Sequence, residues 1–437
     1  MSQPSVATAS ASVYRKWPSI ALSNGLVEAQ IVPQAGGRVM QMTLGPFEYF
    51  YVNSRLAGKA PTADGLGPKG AWLNYGGEKL WPAPQGWDGP EQWPGPPDAV
   101  LDGSPHEAAI VDAQGAKASV RLVSGKDPRC GIQFARTIEM IPGRAGLTVR
   151  ATMTNIDSKP RKWGIWSVLQ HDASARGGQG HEADLWVYCP MNPRSIHAEG
   201  YRVMFGQVNN LAFQPDKASR MMRIHYQRRV GKVGLDCSGG WVATVNGSAG
   251  YVFVQRFPFF PSSPYPDNAS VEVWLHGPGE YIAAGKLENM PDDPKACPYY
   301  IETQLLGPLA SLKPGESYSF RYDWLAARIG GSYPVLDCND SGVVCEKLSA
   351  VRKAGKLELS GRFGVFHTGL AGLVFFNSAD EAVGRLLDLW HVSPHEPLVL
   401  TSDSQVPRIP EGACSLSLVV PDAAGRPTAG LAKAAIG

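Results

Sequence analysis

No span of this 437-residue chain sustains an apolar repeat at 3.6 residues, so long amphipathic helices are not expected. Short β-forming runs recur instead, and turn residues separate them. Gly (49) and Pro (36) make up just under a fifth of the chain, above the globular average but below the level of disordered sequence. No parallel βα alternation and no short internal repeat interrupts the pattern. The reading is all-β: a large antiparallel two-sheet β-sandwich with a small C-terminal β-sandwich domain.

Taken in order, residues 1–16 read as a polar tail, and 17–328 as the large sandwich. Strands are predicted at Pro18–Ser23 and Leu26–Val32, joined by the hairpin dipeptide Asn24-Gly25, and a third is opened by Gly36-Gly37-Arg38-Val39 and runs to Leu44. Four more follow at Ala108–Val111, Ala118–Ser124, Ile132–Ile141 and Gly146–Asn155. Their turns are too short for parallel crossovers. Trp163–His171, Leu185–Pro190, Trp241–Val245, Tyr251–Phe257, Ser270–Leu275, Tyr299–Gln304 and Tyr318–Trp324 complete the set. Gly330-Gly331-Ser332-Tyr333-Pro334 reads as a linker into a domain at 335–437. That domain carries strands near Lys356–Ser360, Leu370–Phe376, Leu398–Leu400 and Ser415–Val420, and a helix over Ala379–Leu389.

Composition removes several function classes. The net charge is +2 with no long run of one sign, so neither nucleic acid nor an anionic membrane surface is an expected partner. No stretch of about eighteen apolar residues exists, so no membrane-spanning helix is expected. Seven scattered cysteines form no CxxC pair and no zinc spacing, and no metal or cofactor is expected. Met1–Val13 lacks a basic and then apolar leader, which points to the cytoplasm, or to the periplasm if a leader has been removed. Walker, GxGxxG, HExxH and GxSxG patterns are absent, which leaves acid–base work by His and carboxylates. The sequence does not set the oligomeric state.

Three segments carry candidate chemistry. Asn74-Tyr75-Gly76-Gly77-Glu78-Lys79-Leu80-Trp81-Pro82-Ala83-Pro84-Gln85 reads as a rigid loop, since its prolines fix φ and remove amide donors. Trp72, Trp81, Trp87 and Trp93 cluster around it. Flat aromatics beside a few polar groups suit a sugar, whose apolar ring faces stack while its hydroxyls take hydrogen bonds. Gln170-His171-Asp172 ends an apolar strand. Glu302, in Tyr300-Ile301-Glu302-Thr303-Gln304, is a carboxylate between β-formers, costly to bury unless paired or working. A Pro/Trp plug, a rim histidine and a solvent-facing glutamate are the structural alternatives for the three.

Residues 18–326 resemble the galactose-mutarotase-like superfamily, which includes the aldose 1-epimerases. Ile301-Glu302-Thr303-Gln304 followed by Lys313-Pro314-Gly315-Glu316-Ser317-Tyr318 resembles the strand of the catalytic glutamate and its following turn. Leu73-Asn74-Tyr75-Gly76-Gly77 is similar to the His-Gly-Gly loop, with Tyr75 in place of the histidine, and Trp81-Pro82 resembles the hexose-phosphate mutarotases. Gln170-His171 falls where the catalytic histidine is expected. The usual Gly-Arg-x-x-Asn-Arg loop is missing, and Asp172-Ala173 replaces an aromatic pair. Asn-Tyr-Gly-Gly-x-Lys-Leu-Trp-Pro-Ala-Pro, with Tyr265-Pro266-Asp267 and Val271-Glu272-Val273-Trp274, resembles an uncharacterised bacterial branch of the superfamily.

The resemblance implies a sugar mutarotase or epimerase acting at the anomeric carbon. Glu302 would be the base and His171 the acid. Asn74, Tyr75, Lys79, Trp81, Gln170, Glu272 and Arg38 would hold a small sugar or oligosaccharide. A non-catalytic carbohydrate-binding protein is the alternative class, and a polysaccharide lyase or hydrolase a third.

Overall fold

The computed structural model describes residues 6–437, apart from 63–64, 88, 90, 354–355, 403, 407–408 and 423–429. Two large sheets dominate, and every strand pair within them is antiparallel. The thirteen-stranded sheet runs, in spatial order, through Arg202–Phe205, Gly231–Leu235, Val271–Leu275, Tyr300–Leu306, Arg161–Asp172, Glu78–Ala83, Arg38–Leu44, Val27–Val32, Trp17–Ser23, Ala7–Tyr14 and Gln114–Gly115, with Ala310–Leu312 and Phe47–Glu48 off that path. The ten-stranded sheet includes Leu185–Pro190, Trp241–Asn246, Tyr251–Arg256, Ser317–Arg328, Gly146–Asn155 and Ile132–Met140. Helical turns among the described residues span three to five residues each. None of the described helices is long and apolar enough to cross a membrane.

Period-two alternation sends one face of each sheet inward. Ile31, Met42, Leu80, Leu169 and Ile301 from the first sheet meet Phe134, Val149, Phe320 and Trp324 from the second in one buried cluster. The outer face of the ten-stranded sheet is covered too. Tyr188, Trp241, Val254 and Leu325 pack there against Val335, Val343 and Phe366. Beyond them lie a five-stranded sheet from Asp337 to Val406 and a four-stranded sheet of Gly369–Phe376, Ala382–Val392, Ser415–Val419 and Ala432–Ala435, with a core of their own. This C-terminal region therefore caps the second sheet and leaves the outer face of the first to other uses.

Three expectations are corrected. The 1–16 tail contains the strand Ala7–Tyr14, which pairs with the next strand from Thr8–Ser23 to Tyr14–Trp17; residues 1–5 lie outside the described residues. Its Ala and Ser side chains gave no apolar signal, yet Ala7 and Ala9 are buried. The rigid loop contains the strand Glu78–Ala83, inserted in the middle of the first sheet. Pro82 is tolerated because the neighbour on one side pairs only at Val39–Glu78, so beyond that point one edge of the strand is open. The Ala379–Leu389 helix is the strand Ala382–Val392. A register shift opposite Ala371–Leu373, with Asp388 at φ 63°, breaks its alternation and imitates helical spacing.

Candidate functional site

The outer face of the thirteen-stranded sheet carries the polar and aromatic residues. Glu302 is the pivot. Its strand pairs Gln170↔Glu302 on one side and Trp274↔Glu302 on the other, and the next strand pairs Lys232↔Trp274. Lys232, Trp274, Glu302 and Gln170 therefore form one row across four strands. Two residues along the same strands, a parallel row holds Gly234, Glu272, Gln304 and Val168, and Val168 pairs with Lys79.

Glu302 is almost fully buried, yet its carboxylate lines a cleft of about 350 Å³. Gln170 Nε2 donates to Oε1 at 2.8 Å, and Gln304 Nε2 donates to Oε2 at 2.6 Å. Gln304 is itself held by Trp166, whose indole N–H donates to its Oε1 at 3.2 Å. Lys79 Nζ lies 3.4 Å from Glu302 Oε1 and 4.9 Å from the centre of the Trp81 ring, with no exposed surface of its own. Burial pushes the Lys79 ammonium down to about 8, against the pull of Glu302 toward the charged form. A second ion pair reverses the arrangement. Lys232 Nζ, 4.7 Å from the centre of the Trp166 ring, lines the cleft, while its partner Glu272, 2.5 Å away at Oε2, is fully buried behind it. Burial raises the Glu272 carboxyl, and the Lys232 charge opposes that shift. One pair thus offers the cleft a carboxylate and the other an ammonium.

Aromatic rings form the walls. Trp81 stands between Trp93 and Trp166, and Trp72, Phe205, Trp274 and Tyr281 complete the enclosure. The indoles of Trp72 and Trp81 both donate to the buried carboxylate of Asp102, at 2.8 and 2.9 Å. Arg38 Nη2 holds that carboxylate at 2.7 Å. At the far wall His276 stacks on Tyr300 with centroids 4.1 Å apart. Trp274 Nε1–H donates to His276 Nδ1 at 3.4 Å, which leaves the ring proton on Nε2. Burial lowers His276 to about 3, so the ring is a neutral donor.

The expected residues divide. Glu302, Gln170, Lys79 and Trp81 come together, and Glu272 joins them beneath Lys232. Asn74 stands at the margin, its amide 3.5 Å from the Tyr300 hydroxyl. Arg38 reaches no cleft surface and works through Asp102. Tyr75 does not join them; it is buried beside Trp17, Val32 and Met40 because Gly76 and Gly77 turn the chain after it. A Cβ on Gly76 would lie 2.1 Å from the Tyr51 carbonyl oxygen, so glycine is needed there.

His171 is the main correction. It pairs with Ile301, one residue out of phase with Glu302, and alternation turns it to the opposite face. There its Nε2 lies 2.8 Å from the Thr303 hydroxyl and 3.1 Å from that of Thr244, edge-on to Phe50 and Phe253. Burial alone lowers its pKa from 6.5 to about 3. The unfolded chain takes up a proton in that interval and the folded chain does not. The stabilising contribution of neutral His171 is therefore complete above about 6.5 and is lost as the pH falls toward 3. His171→Gln is expected to flatten the pH dependence of unfolding free energy by up to about 1.4 kcal/mol per pH unit in that window. Urea titrations of both proteins across it give the two slopes, and equal slopes would contradict the assignment.

Trp166, Lys232, Trp274, His276, Tyr300, Gln304 and Asp102 receive no site role from the sequence, although Trp274, Tyr300 and Gln304 lie in the segments quoted above. A signal existed for most: counting by twos from Glu302 gives Tyr300 and Gln304, from Gln170 gives Trp166, and from Glu272 gives Trp274 and His276. Asp102 lies in a turn with no such phase.

A family model described as a domain of unknown function, DUF4380, matches residues 18–326. No curated protein matches the chain in sequence. Among solved structures, the chain is similar to a galactose mutarotase-like protein from Lactobacillus casei ATCC 334, at 10% identity and a TM-score of 0.45, covering 70% of this chain and 99% of that one. A galactose mutarotase-like protein from Clostridium acetobutylicum gives 11% identity and 0.45, covering 73% and 98%. A TPR-domain containing protein from Parabacteroides distasonis ATCC 8503 gives 16% identity and 0.45, covering 73% of this chain and 48% of that one, so the chain spans about half of that protein.

Proposed function

The chain belongs to the DUF4380 family, and from that premise and the cleft we propose that it binds a sugar and interconverts its anomers. The observation that carries this reading is the row Lys232–Trp274–Glu302. Strands two apart in a sheet are separated by about 10 Å. An ammonium and a carboxylate thus rise on either side of an indole. A pyranose whose anomeric carbon sits over that indole, between the two charges, presents its anomeric hydroxyl to the acceptor and the ring oxygen on the same carbon to the donor.

Glu302 takes the proton of the anomeric hydroxyl while Lys232 protonates the ring oxygen. The bond between the anomeric carbon and the ring oxygen breaks, giving the open-chain aldehyde. Rotation about the adjacent carbon–carbon bond turns the other carbonyl face to the new hydroxyl. Closure returns one proton from Glu302 to the carbonyl oxygen and the other from the hydroxyl to Lys232. Glu272 keeps the ammonium in place, and Lys79 does the same for the carboxylate. Arg38 is a positioning residue, acting on Trp72 and Trp81 through Asp102.

Lys232→Arg tests the donor role, because a guanidinium keeps the charge but does not release a proton in proteins. The rate of anomer interconversion by NMR is expected to fall by about a hundredfold to ten-thousandfold, with KM little changed. An unchanged rate would remove Lys232 from the chemistry. A second reading, sugar binding without turnover, is favoured by one observation: His171, the acid that the epimerase resemblance implies, is sealed between the sheets. Binding by the wild type without interconversion of any aldose would support it.

A further inference from the structure

A second cavity, of about 590 Å³, meets the Glu302 cleft along Trp72, His276 and Tyr300, which line both. Small-molecule sites span about 300–1,000 Å³. The cleft alone is near the bottom of that range, and the two together approach the top. The second cavity has the same mixed chemistry. Tyr51 stacks on Tyr300 with centroids 5.1 Å apart, extending the aromatic wall past the shared boundary. Asn74 lines it and reaches the Tyr300 hydroxyl, and Asp172 adds a carboxyl that burial raises toward its neutral, donating form.

We propose, resting on the sugar-cleft reading above, that the two cavities form one extended site for an oligosaccharide of at least two units. The chemistry fixes the direction. Anomer interconversion needs a free anomeric hydroxyl at Glu302, so the unit in the cleft is the reducing end. The next unit leaves through a ring hydroxyl and lies against Tyr51 and Asn74.

The test is a length series on the whole protein: glucose, and gluco-oligosaccharides of two to four units in α-1,4, β-1,4 and β-1,3 linkage. Interconversion at the reducing end is followed by NMR. One linkage is expected to raise kcat/KM by about tenfold or more from one unit to two, the order that stacking on an aromatic wall supplies. The gain should level off once the second cavity is filled. Ser54 and Ser174 line only the second cavity. Ser54→Trp and Ser174→Trp, which add bulk to its lining from two separate segments, are expected to abolish the length preference and leave the rate on glucose as it was. Two results would overturn the proposal: equal kcat/KM at every length in all three linkages, or a length preference that survives both variants. If neither glucose nor any oligosaccharide is bound or converted, the sugar-cleft reading fails, and this proposal with it.

Discussion

Replacing Glu302 by Gln is expected to slow anomer interconversion by about a hundredfold to ten-thousandfold, the usual contribution of a general base, while the protein still folds and binds sugar. The local geometry explains why the fold survives. The new amide NH₂ would face one of the two glutamine amides that now donate to the carboxylate. Gln170 Oε1 is buried with no hydrogen-bond partner among the described residues, so a flip of Gln170 offers it as an acceptor. Lys79 loses its counter-charge, but burial has already brought its ammonium down to about 8, within reach of deprotonation. Melting curves check folding, and NMR exchange on freshly dissolved aldoses gives the rate. An unchanged rate would exclude Glu302 as the base.

The second large effect is one of stability. Arg136→Met is expected to cost about 3–5 kcal/mol, because it leaves a charge buried without its counter-ion. Glu78 is fully buried on the inner face of the strand whose outer face carries Lys79 and Trp81. Its carboxylate is paired with Arg136 and accepts from Ser167 at 2.9 Å and Tyr322 at 3.0 Å. Arg136 also donates to the Gly37 carbonyl, so one guanidinium ties the second sheet to two segments of the first. Urea unfolding of wild type and Arg136→Met gives the difference. Glu78→Met/Arg136→Met, which removes both charges, is expected to recover much of the loss. A single variant as stable as wild type would contradict the buried-pair account.

The β character of the chain was legible because alternation and turn residues agree over most of its length. Gly146–Asn155, Leu185–Pro190 and Leu398–Leu400 have the boundaries their sequences predict. Where local signals conflict, reading failed. Pro82 argued against a strand that tertiary pairing imposes, and the register shift near Asp388 made a strand look helical. The site was legible in part for the same reason. Glu302, Lys79 and Trp81 stand out by residue type alone. Telling Gln170 from His171, however, needs the phase of one strand against its neighbour, and a single residue changes the face. Lys232 carries no such signal because Gly231–Leu235, with two glycines in five residues, does not read as a strand.

The central claim is that a sugar occupies the cleft with its anomeric hydroxyl on Glu302. The most direct test is a crystal structure of the wild-type protein with a bound aldose. The account predicts a pyranose stacked among Trp81, Trp166 and Trp274. Its anomeric oxygen should lie within about 2.6–3.2 Å of a Glu302 carboxylate oxygen, and its ring oxygen should face Lys232. A sugar bound elsewhere on the molecule, with the Glu302 cleft empty, would contradict it.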